Sequence, residues 1–234
     1  MQKLKQIYEG KAKKLYETDD QDLLIQEFKD DATAFDATKR GTIVNKGVIN
    51  NKLSETIFGL LEKKGIPTHF VKRLNDRDML VKRVEIVPLE VTMRNIVAGG
   101  MAKLLGLEEG IILKRPVLEW HYKEDKLHDP LINDDHALAL GIATEKELEA
   151  IRKYSVKINE VLTKFFDSKG LTLVDFKLEF GRYKGKIILA DEISPDTCRL
   201  WDKTTKEKLD KDRFRRDLGN VEEAYQEVLR RVMA

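Results

Sequence analysis

Residues Leu173 to Gly181 read Leu-Val-Asp-Phe-Lys-Leu-Glu-Phe-Gly, with apolar and charged side chains alternating from Val174 to Phe180. On a β-strand, side chains point to opposite faces with a period of two. Val174, Phe176, Leu178 and Phe180 would therefore share one face, and Asp175, Lys177 and Glu179 the other. A second acidic stretch follows, Ala190-Asp191-Glu192-Ile193-Ser194-Pro195-Asp196. Two strands joined by a short turn would bring Glu179 near Asp191. Paired carboxylates suit Mg²⁺, which takes one or two of them and fills its other positions with water and phosphate. Taken alone, the stripe is also what a solvated strand face looks like, because exposed charges need no special cause.

Tyr8-Glu9-Gly10-Lys11-Ala12-Lys13 is a second candidate. A glycine lets the backbone approach a triphosphate and two lysines offset its charge, as in the Gly-rich hairpin of protein kinases. The same residues also describe a plain turn with solvated lysines. Arg94 with Ala98-Gly99-Gly100 is a third. Arginine grips phosphate with a planar, bidentate fork, and backbone N–H groups at a helix start attract anions. A loop leading into a helix, with a surface arginine, fits equally. His69, His121, His128 and His136 show no metal-ligand spacing, and His69 sits in an apolar stretch that suits a core position. Ser194 lacks the context of a nucleophile elbow. Cys198, the single cysteine, lies beside acidic residues that raise a thiol pKa and is read as structural.

These residues need elements to hold them. At 234 residues the chain is long enough for one large domain or two lobes around a cleft, and 41% hydrophobic content is that of a globular protein. Against 41 acids, 43 basic residues leave a net charge of +2, which argues against a dedicated nucleic-acid binder. One cysteine excludes an internal disulfide and points to a reducing compartment. No apolar segment has the length of a membrane span or the look of a secretory signal, so a cytoplasmic protein is expected. Leu15 to Glu17 and Leu23 to Ile25 with Phe28 read as strands. Val48, Ile49, Leu53, Ile57, Leu60 and Leu61 recur at helical spacing until Gly65-Ile66-Pro67. Thr68 to Arg73 and Met79 to Val84 are strand candidates, and Val87 to Val91 opens a second lobe. Residues 114 to 136 have little periodicity and read as a long, mobile loop. Thr144-Glu145-Lys146-Glu147 is a capping box for a helix that turns Leu148, Ile151, Ile158, Leu162 and Phe165 inward. The acidic strand, a turn at Tyr183-Lys184-Gly185 and a partner strand Lys186 to Ala190 follow. A last helix would bury Val221, Ala224, Tyr225, Val228 and Val232.

In this order, the motifs resemble the SAICAR synthetase family of purine biosynthesis over essentially the whole chain. The most specific are Leu173 to Gly181 and Val87-Pro88-Leu89-Glu90-Val91-Thr92-Met93-Arg94. Tyr8 to Lys13, Ala34-Phe35-Asp36, Lys46-Gly47, His128-Asp129-Pro130 and Asp191 to Trp201 agree with it. One position departs: the family pattern ends Ala-Gly-Ser where this chain has Ala98-Gly99-Gly100, so a hydroxyl contact to substrate would fall to a backbone N–H or a water.

The resemblance implies an α+β fold with two lobes. A β-rich, kinase- or ATP-grasp-like lobe would span 1–85 and a mixed α/β lobe 86–234, with ATP in the cleft. It implies a ligase that joins carboxyaminoimidazole ribonucleotide to L-aspartate through an acyl phosphate, using ATP and Mg²⁺. By the same resemblance Gly10, Lys11, Ala12 and Lys13 would meet the ATP phosphates. The backbone at Lys82 and Val84 would hold adenine, with Lys123 near the nucleotide. Glu179 and Asp191 would hold the metal. Arg94, Gly100 and Arg199 would bind the ribonucleotide phosphate. Lys177 and Asp175 would touch the reacting carboxylate or its metal. Asp36 joins Lys177 and Asp175 as a catalytic candidate, Asp196, His128 and Asp129 complete the substrate side, and Asp36, Lys46 and the stretch from His128 to Asn133 are the candidates for aspartate. Small molecules are the expected partners, without nucleic acid or membrane, and a homodimer is the expected assembly. A small-molecule or protein kinase and a non-catalytic nucleotide sensor are the alternatives. A kinase would need a His-Arg-Asp catalytic loop, which the sequence lacks.

Overall fold

The computed structural model describes residues 1–34 and 38–234. Seven strands and one helix come first: β1 (Gln6–Glu9), β2 (Lys13–Glu17), β3 (Leu23–Phe28), β4 (Asp31–Ala34), β5 (Lys39–Thr42), α1 (Lys46–Lys63), β6 (Phe70–Arg73) and β7 (Asp78–Lys82). Five of the strands form an antiparallel sheet in the order β1-β2-β3-β7-β6, and β4 pairs with β5. Leu24, Ile25 and Phe28 bury their side chains from β3, and α1 buries Ile49, Leu53, Ile57, Phe58 and Leu61. That spacing is the amphipathic stripe of a helix lying on a sheet. The Ile66 N–H bonds back to the Leu61 carbonyl and ends α1 ahead of Pro67.

The rest of the chain builds a six-stranded sheet. Its elements are β8 (Glu85–Ile96), α2 (Gly99–Leu105), β9 (Ile112–Tyr122), β10 (Leu131–Ile132), α3 (Asp134–Ala139), α4 (Glu145–Ser168), β11 (Leu171–Tyr183), β12 (Lys186–Ala190), β13 (Cys198–Asp202), α5 (Asp212–Arg215) and α6 (Val221–Met233). The order is β10-β9-β8-β11-β12, with β13 paired to the first half of β11. Thus β11 pairs with β8, β12 and β13. The capping box forms as expected, with Thr144 and Glu147 exchanging side-chain and backbone hydrogen bonds. Leu148, Ile151, Ile158 and Leu162 point inward from α4. The last inward position is Phe166, with Phe165 packed edgewise on it at 5.4 Å.

Two expectations need correction. The alternation on β11 holds only from Phe176 to Phe180. The register slips between Leu173 and Asp175, a β-bulge. Leu171 and Leu173 face the main core before the bulge, and Phe176, Leu178 and Phe180 face it after. Val174 is thrown off that face and packs with Ile96, Ala98 and Trp201. Residues 114–136 are also structured. Strand β9 runs from Ile112 through Pro116 and is followed by a 3₁₀ turn at Asp125–Leu127, β10 and α3. Lys114-Arg115-Pro116 conceals the strand, because β10 reaches only Trp120 and His121 and leaves one edge free. A proline is tolerated on such an edge.

The sheets are joined through the backbone at β12. Thr68 bridges Leu189, and the His69 N–H donates to the Leu189 carbonyl at 2.8 Å. Helix α1 packs on β3 and β6, α4 on β11, and α6 on α1. One hydrophobic core extends from Leu24 to Val232. No helix among the described residues is long and apolar enough to cross a membrane. Phe176→Ala is expected to destabilise the protein by about 3–5 kcal/mol. Val174→Ala, in the small cluster beyond the bulge, should cost less. Equilibrium unfolding in denaturant measures both, and an equal loss would deny the bulge its effect on packing.

Candidate active site

Between the first sheet and the large one lies a cleft of about 1260 Å³. The β1–β2 hairpin brings Gly10, Lys11, Ala12 and Lys13 to it. Lys82, Val84 and Ile86 come from the crossing between β7 and β8. Glu90, Lys123, Asp125 and Asp129 line a further wall, and Lys177, Glu179, Asp191, Glu192, Asp196, Lys211 and Arg215 complete it.

Acids and lysines interleave on the large sheet. Glu179 stands opposite both Ala190 and Glu90 in the strand register, so Asp191, the first residue past β12, follows directly on Glu179's cross-strand neighbour. Each carboxylate holds a lysine. Lys123 Nζ donates to Glu179 at 2.7 Å, Lys13 to Asp191, and Lys177 to Glu90. Burial alone would raise the Glu90 carboxyl pKa, but Lys177 and Lys123 together hold it below the usual range. Asp191 has φ 63°, the left-handed region that non-glycine residues rarely occupy. Such backbone outliers cluster at functional sites. Lys11 reaches across to Asp125 at 3.1 Å and ties the hairpin to the 3₁₀ turn.

Beside the cleft, Asp175 is buried between two arginines. Arg94 Nη1 donates to its Oδ2 at 2.8 Å, and Arg199 Nη1 reaches Oδ1 at 3.1 Å and Oδ2 at 2.8 Å. Arg94 Nε is held by Glu119 at 2.7 Å, and Arg199 Nε by Asp212 at 3.0 Å. Burial pushes the Asp175 carboxyl up, against the pull of both guanidinium groups. Burial would also raise Asp212, yet Arg199 and Arg215 bring it down to about 2. Neither Arg94 nor Arg199 uses its Nη2 on a protein acceptor among the described residues. Both Nη2 groups face the Gly99-Gly100 turn into α2. Gly99 has φ 53°, and a Cβ there would collide with Arg199, so only glycine fits. A Cβ at Gly100 would lie 3.8 Å from Arg94 Nη2, an ordinary contact that leaves room for a serine.

A third group anchors the far end. Lys46, fully buried, donates to Asp196 at 2.6 Å, and Tyr225 Oη donates to the other oxygen at 2.6 Å. Burial would raise the Asp196 carboxyl, but Lys46 and Lys211 hold it well below the carboxylate range. On the facing wall, His128 and Asp129 both have positive φ, and the Asp129 carboxylate accepts the Glu124 N–H at 3.0 Å. His69 lines the cleft near the lobe crossing, with both ring nitrogens buried and without a hydrogen-bond partner among the described residues. Burial, reinforced by Lys13 and Lys82, lowers its pKa to about 3.

Twelve of the expected site residues line one cleft: Gly10, Lys11, Ala12, Lys13, Lys82, Val84, Lys123, Asp129, Lys177, Glu179, Asp191 and Asp196. Asp175, Arg94 and Arg199 form the group beside it with the exposed Gly100 next to them, and His128 is not among the lining residues. Asp36 lies outside the described residues. Sequence reasoning passed over Glu90, Glu192, Lys211 and Arg215, all of which line the cleft. Glu90 had a signal, a lone charge within the apolar run Val87 to Val91. Among the described residues no three His, Cys, Asp or Glu side chains gather closely enough to hold a metal by themselves. Mg²⁺ does not need three, since phosphate and water complete its shell, and two hard carboxylates, one on β11 and one just past the neighbouring β12, fit it.

A glycine hairpin, lysines held by carboxylates and an arginine pair on a buried carboxylate around one α+β cleft define an enzyme that handles phosphorylated substrates. Comparison with known proteins narrows this. A family model described as SAICAR synthetase matches residues 6–232. A phosphoribosylaminoimidazole-succinocarboxamide synthase of Lachnoclostridium phytofermentans is 62% identical over 99% of both chains. The crystal structure of the Ehrlichia chaffeensis synthase superposes with a TM-score of 0.97 at 46% identity, covering 98% of this chain and 99% of that one. A SAICAR synthetase solved in complex with ADP gives 0.93 at 52% identity, over 96% of each chain. The chain belongs to the SAICAR synthetase family, ligases of purine biosynthesis that join carboxyaminoimidazole ribonucleotide to aspartate. Membership favours a ligase over the kinase and the nucleotide sensor.

The buried histidine generates a test. A base with a depressed native pKa favours the unfolded state once that state takes up protons. Stability tied to His69 is therefore complete above pH 6.5 and lost as pH falls from there toward 3. His69→Gln should lose less stability than the wild type across that window in denaturant unfolding. Parallel pH profiles would show that His69 is not the titrating group.

Proposed function

We propose that this chain phosphorylates the carboxylate of carboxyaminoimidazole ribonucleotide with ATP and then transfers the acyl group to L-aspartate. A carboxylate resists an amine because it is anionic and lacks a leaving group. An acyl phosphate has one. The observation that carries this reading is the set of lysine–carboxylate pairs in the cleft, Lys13 with Asp191 across it and Lys123 with Glu179 and Lys177 with Glu90 on the large sheet. A polyphosphate entering there finds cations that can turn from carboxylate to phosphate, and phosphoryl transfer rests mostly on such positioning and electrostatics.

Gly10, Lys11, Ala12 and Lys13 would close over the phosphates, and the backbone at Lys82 and Val84 would receive adenine. Glu179 and Asp191 would hold Mg²⁺, which supplies charge neutralisation at the transferring phosphoryl group. Lys123 would shift from Glu179 toward the nucleotide, and Lys177 would hold the substrate carboxylate. Arg94 and Arg199 would bind the ribonucleotide phosphate through their spare Nη2 groups, with the Gly100 N–H beside them. Asp175 has both oxygens on these arginines and would act by orienting them rather than by touching the reacting carboxylate. Asp196, His128 and Asp129, with Asp36, are assigned to the substrate side. In this reading residues 1–85 form the ATP-binding lobe and 86–234 the lobe with substrate and metal residues. The enzyme works in the cytoplasm, in keeping with its one buried free thiol. It pairs with a second copy through the exposed Leu104, Leu105, Leu107, Ile111 and Ile112.

The decisive assay supplies ATP and the ribonucleotide with and without L-aspartate. Aspartate-dependent amide formation supports the ligase, whereas a stable phosphorylated alcohol would mean a kinase. Glu179→Gln should keep its circular dichroism spectrum and lose most ATP-dependent turnover, of the order of 10²-fold or more. Wild-type rates in that variant would remove Glu179 from the metal site. Arg199→Ala should raise KM for the ribonucleotide far more than KM for ATP, and equal effects would refute the phosphate assignment.

A further inference from the structure

The acyl transfer proposed above requires a group that takes a proton from the aspartate amine, and the present inference rests on that reaction. Aspartate arrives with an ammonium group, which is no nucleophile until it loses a proton. Five lysines that line the cleft are committed to acids, Lys11 to Asp125, Lys13 to Asp191, Lys29 to Glu9 and Asp31, Lys123 to Glu179 and Lys177 to Glu90, and Lys82 donates to the Thr68 carbonyl at 2.8 Å. Lys211 is different. It lines the same cleft, partly exposed, just before α5, with its backbone N–H anchored on the Pro195 carbonyl at 3.1 Å. Among the described residues no hydrogen bond or ion pair engages its Nζ.

The acids around Lys211 are already occupied. Asp196 is held by Lys46 and Tyr225, each at 2.6 Å. Asp212 carries Arg199 at 3.0 Å and Arg215 at 2.6 Å. Asp210 accepts the backbone N–H groups of Leu200 and Asp212, and burial pushes it up to about 7. Burial lowers the pKa of Lys211, as do the cations Arg215 and Lys46, against the pull of Asp196 and Glu192. Desolvation and nearby positive charge are what make a lysine amine basic in function rather than merely cationic.

We propose that Lys211 is the catalytic base that deprotonates the incoming aspartate amine. Neutral Nζ takes one proton from the ammonium and frees the nitrogen lone pair. That nitrogen attacks the acyl carbon, the C–N bond forms, and the C–O bond to phosphate breaks with its electron pair on oxygen. The second nitrogen proton leaves with the phosphate as HPO₄²⁻, and Lys211 returns its proton to solvent. Charge and atoms balance without a further reactant.

Hydroxylamine supplies the test, because it is unprotonated at neutral pH and traps acyl phosphates as hydroxamates without a base. With ATP and the ribonucleotide, Lys211→Ala and Lys211→Met should form hydroxamate at wild-type rates. Their aspartate-dependent kcat should fall by roughly 10²- to 10⁴-fold, the usual share of a general base, with KM for aspartate little changed. Added alkylamines should restore part of the Lys211→Ala rate, and Lys211→Arg, charged but not basic, should stay slow. Recovery in Lys211→Arg, or a loss confined to KM for aspartate, would show that Lys211 binds a carboxylate as a cation and would overturn the proposal. Loss of hydroxamate in the variants alone would place Lys211 before the amine step and overturn it too. Absence of hydroxamate in the wild type would instead sink the acyl-phosphate reading itself, and this base with it.

Discussion

The buried contact between Asp175 and the two guanidinium groups of Arg94 and Arg199 sets the terms for much of the structure. A lone carboxylate at that depth would be too costly to keep charged, and two lone arginines worse. Together they satisfy one another, and Glu119 and Asp212 extend the set on either side. This fixes β8, β9, β11, β13 and the segment at α5 to one another through side chains as well as strand pairing. The bulge on β11 belongs to the same arrangement. It moves Val174 and Asp175 off the core face, and the strand regains its phase at Phe176.

The cleft uses charge in another way. Its lysine–carboxylate pairs are half-buried and self-contained, so the site is close to neutral despite its many charges. Pairing keeps the floor from repelling an anionic ligand, and the lysines exchange one oxygen partner for another. The region near Lys211 breaks the pattern, because its acids are taken by other donors.

Much of this was legible in the sequence because period and turn chemistry are local. The β11–β12 hairpin, the capping box of α4 and the stripe of α1 follow from spacing alone. So does the closeness of Glu179 and Asp191, once the turn at Lys184-Gly185 fixes the register. The bulge was hidden because no residue in Leu173 to Asp175 announces one; it depends on what β13 offers across the ladder. Strand β9 was hidden because its free edge tolerates Pro116 and charged neighbours. Lys211 and Arg215 sit in a tail rich in both signs of charge, where sequence cannot tell a cleft wall from a solvated turn. Arg94 and Arg199 were found as phosphate candidates, but their shared hold on Asp175 is a tertiary fact, made by strands 81 and 24 residues apart in the chain.

Gly181 lies on the acidic strand two residues beyond Glu179, and a Cβ there would overlap the Val84 side chain at 2.5 Å. The strand and the lobe crossing therefore touch with nothing between them. Under the proposed roles, Val84 marks where the base of the nucleotide rests and Glu179 where its terminal phosphates are gripped. Their separation is then set by the short, branched Val84 side chain packed directly on the strand backbone at Gly181. The pair works as a molecular ruler. It measures the span from base to phosphate, and it reads length rather than letters.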